Sequence, residues 1–353
     1  MGRNTGHSPL LLVTDFCTWQ VLSLSGVARV FVTKRTLLHT LGDFPKAWRL
    51  LLENIEKLAL SATQEVSLAA LKAFHEMVVT GEVSGEGGEE GARWQAAWRT
   101  WLAIGQQATK PNLNEDCSPT QAFLTSLCHI FPLLLPHLRP LPSSSLASLS
   151  SVLLATLALP VTADSELGYL LTAEQASLLP LHCAIAKCCQ VVEAAALAGA
   201  SDLLPGLFTL YISLGKLVHK WPEGAGKCGV KGIFPEKFIL LGERCLVAAG
   251  RLYERTHGLE VVVQGKVILE MVAALRPVLE LKYSCIKQSS WKVAIEVLLA
   301  CVGVSLETGG GLESQADLCA ALAPVLEAFL FPKVHKYFLL FLRVASVLHD
   351  VDF

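Results

Sequence analysis

Charge is scarce in this chain of 353 residues: 17% are Asp, Glu, Lys or Arg, and 29 basic against 31 acidic side chains leave a formal net charge of -2. Nucleic acid is not an expected partner, because binding it needs clustered Lys and Arg that displace counterions, and no basic face is present. Long apolar runs are missing too. Between Arg139 and Asp164 lies an uncharged stretch, PLPSSSLASLSSVLLATLALPVTA, but only Val152 to Leu159 is continuously apolar, apart from Thr156, before Pro160 closes it. A membrane-spanning helix needs about 20 such residues, so no transmembrane span is expected. At the amino end the run Leu10 to Val13 is too short for a signal-peptide core, Asp15 stops it, and Gly6 stands where myristoylation wants Ser or Thr. These absences point to a cytoplasmic chain.

Catalytic signatures are also lacking. No GxSxG elbow or HExxH helix occurs, and the ten histidines are scattered without a consistent carboxylate partner. A phosphate-cradling loop fails at Gly226 and Lys227, which have Trp221 upstream and Cys228 after them. The cluster His182, Cys183, Cys188 and Cys189 in LHCAIAKCCQ contains zinc-ligand chemistry, but it holds no CxxC pair and Cys183 and Cys188 point away from the face shared by His182 and Cys189. No metal, cofactor or enzymatic activity is expected. The eleven cysteines are an odd number without a framework, and Cys128, Cys245 and Cys301 sit in apolar helical text. They read as small buried hydrophobes in a reducing compartment.

What the chain has in abundance is apolar surface, 52% of residues with a mean hydropathy of +0.47. Either the core is extensive or partners cover part of it. Apolar residues recur at three and four, and almost nowhere at two, which predicts a nearly all-helical chain. In LGDFPKAWRLLLENIEKLAL, Asp43 can cap, Pro45 suits the first turn, and Trp48, Leu51, Leu52, Ile55 and Leu58 form one stripe. SATQEVSLAALKAFHEMVVT follows, with Ser61 and Gln64 at capping-box spacing and Leu68, Leu71, Phe74 and Val78 on one face. Their short junction makes them an antiparallel hairpin, the unit of a HEAT or armadillo stack.

Further helices are predicted near 93–108, 118–138, 145–159, 173–199, 202–220, 235–256, 259–276, 289–306, 314–331 and 334–349. The expected organisation is an atypical leader at 1–22, hairpin repeats at 23–80, a flexible Gly/Glu loop at 81–91, a helical-repeat array at 92–331 and an atypical hydrophobic tail at 332–353. The fold class is therefore all-α, a HEAT/armadillo-like α-solenoid. Within RWQAAWRTWLAIG, spacings of four and three put Trp94, Trp98 and Trp101 on one helical face. That stripe is either packing between repeats or an anchor for a partner, and the three indoles are the candidate partner-docking residues.

Several longer words carry a resemblance. GVARVF, LLHTLGDFPKAW, EVSLAALKAF, WQAAWRTWLAIGQQATKP, QAFLTSLCHIFP, PEKFILLGERCL and LKYSCIKQSSWKVAIEVLL occur in this order between about Gly26 and Lys333. Together they resemble the carboxy-terminal part of the Mon-two (monensin-sensitivity) Golgi protein family, a relative of the BIG and GBF large Arf exchange factors. The resemblance implies a helical-repeat scaffold without the catalytic exchange domain, peripheral on the trans-Golgi network and endosomes. It implies work with a Dopey-type protein and an aminophospholipid flippase in endosome-to-Golgi recycling. The family's long amino-terminal region is missing, and the first 22 residues and the end from Val334 do not match, so a fragment or short form is expected. The other readings are an Arf-family nucleotide-exchange regulator, whose acidic-finger hallmark is not found, and a helical-repeat adaptor of another pathway.

Overall fold

The computed structural model describes residues 9–79, 89–110, 119–138, 141–159, 178–220, 233–283, 290–307 and 312–330. Among them are thirteen α-helices, four short 3-10 turns and no strand. The described chain divides into two compact units, Met1–Leu203 with Pro222–Lys231, and Leu204–Trp221 with Gly232–Phe353.

The first unit holds α1 (Pro9–His39), α2 (Phe44–Ala59), α3 (Gln64–Val79), α4 (Glu89–Ala108), α5 (Gln121–Leu134), α6 (Ser143–Ala158) and α7 (Pro180–Leu197). Its helices pack in two layers. In one, α1 lies against α3, α3 against α5 and α5 against α7; in the other, α2 lies against α4 and α4 against α6. The layers meet through the pairs α2/α3 and α4/α5. Each helix thus neighbours the helix two further along, the order of an α-solenoid, in which an amphipathic hairpin buries its stripe only by stacking on the next.

The sequence stripes explain this packing. In α2, Pro45 occupies the first turn and Phe44, Trp48, Leu52, Ile55 and Ala59 are buried. Two caps differ from expectation. Asp43 makes no side-chain cap and instead pairs with Lys46 at 3.1 Å, while the Ser61 hydroxyl accepts from the Thr63 amide at 3.3 Å because α3 begins only at Gln64. A true cap occurs at α5, where the Thr120 hydroxyl accepts from the Phe123 amide.

Larger differences fall at the ends of expected segments. α1 continues across the boundary set at residue 22 and kinks at Lys34 (φ -118°, ψ 18°), where two helical stretches join. Its apolar residues are spread around the helix, so no single stripe announces it. α4 starts at Glu89, inside the stretch expected as a loop, because the glutamates at 89 and 90 suit the positive end of a helix dipole. The rest of that stretch, and the expected helix at 334–349 with the tail, lie outside the described residues, as do Gly226 and Lys227.

The second unit holds α8 (Leu204–Gly215), α9 (Ile233–Thr256), the short α10 (Glu260–Gln264), α11 (Val267–Glu280), α12 (Ser290–Glu307) and α13 (Leu312–Leu330). It repeats the layered order. α8 packs on α11 and α11 on α13, α9 packs on α12, and the pairs α8/α9 and α11/α12 join the layers. The helix expected over 259–276 is broken, with Lys266 in the left-handed region at φ 48°. The reason is burial. Val262 and Val267, five apart, would point about 140° away from each other on one continuous helix, and the break turns both inward to 1% and 2% exposure.

Candidate functional site

α4 carries the tryptophan stripe, and the first unit encloses it: Trp94, Trp98 and Trp101 are 6%, 5% and 0% exposed. Trp94 stacks on His137 with centroids 3.8 Å apart and meets the edge of Trp48 at 6.4 Å. The Trp48 indole N–H donates to the Arg93 carbonyl at 3.1 Å, tying α2 to α4. Further along, Trp98 and Trp101 stack at 5.2 Å and both lie against Phe131 of α5, at 5.8 and 5.6 Å. The Trp101 N–H donates to the Leu127 carbonyl at 2.8 Å. Of the two uses the sequence left open for this stripe, the described structure displays packing, with little indole surface left outward.

The thiols follow the same pattern. Pro132 sits inside α5 and has no N–H, so it withdraws the usual helical donor from the Cys128 carbonyl. The Cys188 thiol of α7 fills that gap, donating to the Cys128 carbonyl at 3.3 Å and joining two helices of one layer. Burial pushes the Cys188 thiol well above its ordinary range, and pushes Cys245 and Cys301 up to about 12. These sulfurs are neutral packing groups, not nucleophiles. In LHCAIAKCCQ, His182, Cys188 and Cys189 are buried while Cys183 is exposed. Among the described residues no group of three or more His, Cys, Asp or Glu could hold a metal ion.

Histidines report on the interior. Burial is the largest cause that lowers His75, His137 and His219 below the ordinary value of 6.5; Arg35 adds to it at His137, where Glu90 opposes. With folded values below the unfolded one, protonation favours the unfolded chain. The stability they contribute is present above pH 6.5 and is lost as pH falls through their folded values. The urea midpoint is therefore expected to fall between about pH 7 and about pH 5, and to fall less steeply in His137→Gln. A flat profile in the parent chain contradicts this.

One surface was not foreseen. α1 buries Leu24, Ala28 and Phe31, yet Trp19, Leu22, Val30 and Leu37 on it are 68%, 58%, 56% and 60% exposed. Beside that outward face, α1 and α2 enclose a groove of about 570 Å³, lined by Gly26, Val27 and Val30 on one side and Ala47, Trp48 and Leu51 on the other. The signal was present as Trp19, Leu22, Gly26 and Val30 at spacings of three and four, inside and just beyond the segment set aside as a leader. No described helix is long and apolar enough to cross a membrane.

Comparison with known proteins finds sequence matches that run through both units. A family model described as the C-terminal region of Mon2 protein matches residues 7–90 and 83–336. The Protein MON2 homolog of Drosophila melanogaster is 32% identical over 374 residues, covering 92% of this chain and 22% of that protein. The Protein MON2 homolog of Homo sapiens is 31% identical over 392 residues, covering 90% and 23%. Monensin-resistant homolog 2 of Caenorhabditis elegans is 20% identical over 383 residues, again covering 90% and 23%. The chain thus spans only 22% to 23% of the length of these curated relatives. No solved structure matches it.

Proposed function

Because the chain belongs to the family of the C-terminal region of Mon2 protein, we propose that it is a non-enzymatic helical-repeat scaffold in endosome-to-Golgi membrane trafficking. The observation that carries this reading is the family match, which runs through all the described helices of both units. Layered hairpins suit such a role. They hold a large surface in a fixed form, and two partners bound to one chain meet at raised effective concentration without any chemical barrier being lowered. The partners proposed are a Dopey-type protein and an aminophospholipid flippase, and the place of action is the cytoplasmic face of trans-Golgi and endosomal membranes.

The test is capture by the purified full chain. Immobilised protein is expected to retain a purified Dopey-type protein and to leave nucleotide release from an Arf-type GTPase at its spontaneous rate. Failure to retain the Dopey-type protein, or capture from cells of importin cargoes or a phosphatase in its place, overturns the scaffold reading in this pathway. Accelerated nucleotide release would replace it with an exchange activity.

A further inference from the structure

We propose that the cavity where α1, α2 and α4 converge in the first unit binds one small monovalent anion, of about the size of chloride, through the guanidinium groups of Arg93 and Arg35. The inference rests on charge and burial at this junction, and stands apart from the trafficking reading. Phe31 of α1, Trp48 of α2 and Trp94 of α4 wall the cavity with aromatic surface. Arg35 of α1 and Glu90 and Arg93 of α4 bring charge to it, and all three are half-buried.

Arg93 carries the argument. Its Nε is buried and has no hydrogen-bond partner among the described residues, and among them the arginine forms no ion pair. The guanidinium lies over the Phe44 ring, 5.3 Å from the centroid. That contact steadies the cation but gives the Nε–H no acceptor. A buried donor left without an acceptor is costly, and a charged one more so, which calls for an acceptor at this corner.

Charge and size narrow what that acceptor is. Two guanidinium groups face one carboxylate in the lining, which leaves one positive charge in excess. The field acting on His137, which stacks on the Trp94 indole, has the same sign: burial is the first cause that holds this histidine low, and Arg35 is the next, ahead of the opposing Glu90. Aromatic walls lower the local dielectric and strengthen the pull of both arginines on an anion. The cavity measures about 10 Å³, room for a single body of about a water's size. A phosphate or an organic acid needs more; a halide-sized ion does not.

The experiment titrates the full chain with sodium bromide, chloride's heavier analogue, against sodium gluconate at constant ionic strength. Bromide in the cavity touches the indoles of Trp48 and Trp94 and quenches their fluorescence, whereas collisions with exposed tryptophans give only a component that does not saturate. A saturable component is expected, and chloride is expected to displace it. Arg93→Gln keeps the backbone carbonyl that accepts from the Trp48 N–H. It removes the cation, and is expected to weaken the saturable component at least about tenfold. Glu90→Gln removes the opposing carboxylate and is expected to tighten it at least about threefold, a gain that misfolding cannot imitate. Arg251→Gln, on an exposed site of the second unit, is expected to leave it within about twofold.

Absence of a saturable component overturns the proposal and would make the acceptor for Arg93 a water. A component that survives Arg93→Gln unchanged, or that Glu90→Gln weakens, overturns it as well.

Discussion

Trp101→Ala is expected to lower the unfolding free energy by about 3–5 kcal/mol, the range for deleting a large aromatic from a closed core. Trp101 has no exposed surface, stacks on Trp98 and abuts Phe131, so neighbours on two helices would lose contact at once. Most of the loss comes from the cavity. The hydrogen bond to the Leu127 carbonyl adds about 1 kcal/mol, because that carbonyl is left with one acceptor site unused. Trp101→Phe keeps a ring in the stack and gives up mainly that bond, so it should cost clearly less. Urea unfolding of the full chain measures both. A loss below about 1 kcal/mol in Trp101→Ala would mean that this part of the first unit is not closely packed.

Gly242→Ala is the second large effect, expected to destabilise by about 1–3 kcal/mol although alanine is the better helix former. A Cβ on α9 at this position would stand 2.8 Å from a Val218 methyl, 2.9 Å from the Val218 amide nitrogen and 3.3 Å from the Gly215 carbonyl oxygen. Backbone atoms cannot swing aside as a side chain can. Gly215 offers the contrast, since its added Cβ would meet only the Leu246 side chain, at 2.5 Å from the flexible Cδ2. Gly26 meets nothing within 4 Å. Thermal melts should rank Gly26→Ala above the parent chain by up to about 1 kcal/mol, Gly215→Ala lower, and Gly242→Ala lowest. Equal stability of Gly242→Ala and Gly26→Ala would show that α9 does not approach the 3-10 turn at Lys216–Val218 so closely.

These two residues also mark the limits of reading the chain. The tryptophan at 101 was legible as part of a helical face, but whether that face met solvent, a partner or α5 was not. Nothing local to Gly242 distinguishes it from Gly26; both stand in helical text, and only the approach of Val218 makes one indispensable. α2 was legible almost to the residue and α3 in all but its first turn, because each has one apolar face. α1 was not, because its apolar residues surround it. The break at Lys266 was hidden for a related reason, since EVVVQGKVILEMV reads as continuous helix until two valines compete for the same core.

By itself the sequence determined the helical class, the family words and the apolar faces, because periodicity and side-chain chemistry are properties of neighbours along the chain. Only the tertiary structure decided which faces are spent. It closed the tryptophans of α4 inside the first unit and left Leu22, Val27, Val30 and Leu37 of α1 outward. Burial is a relation between segments far apart in sequence, and its free energy is set by whichever surface arrives opposite.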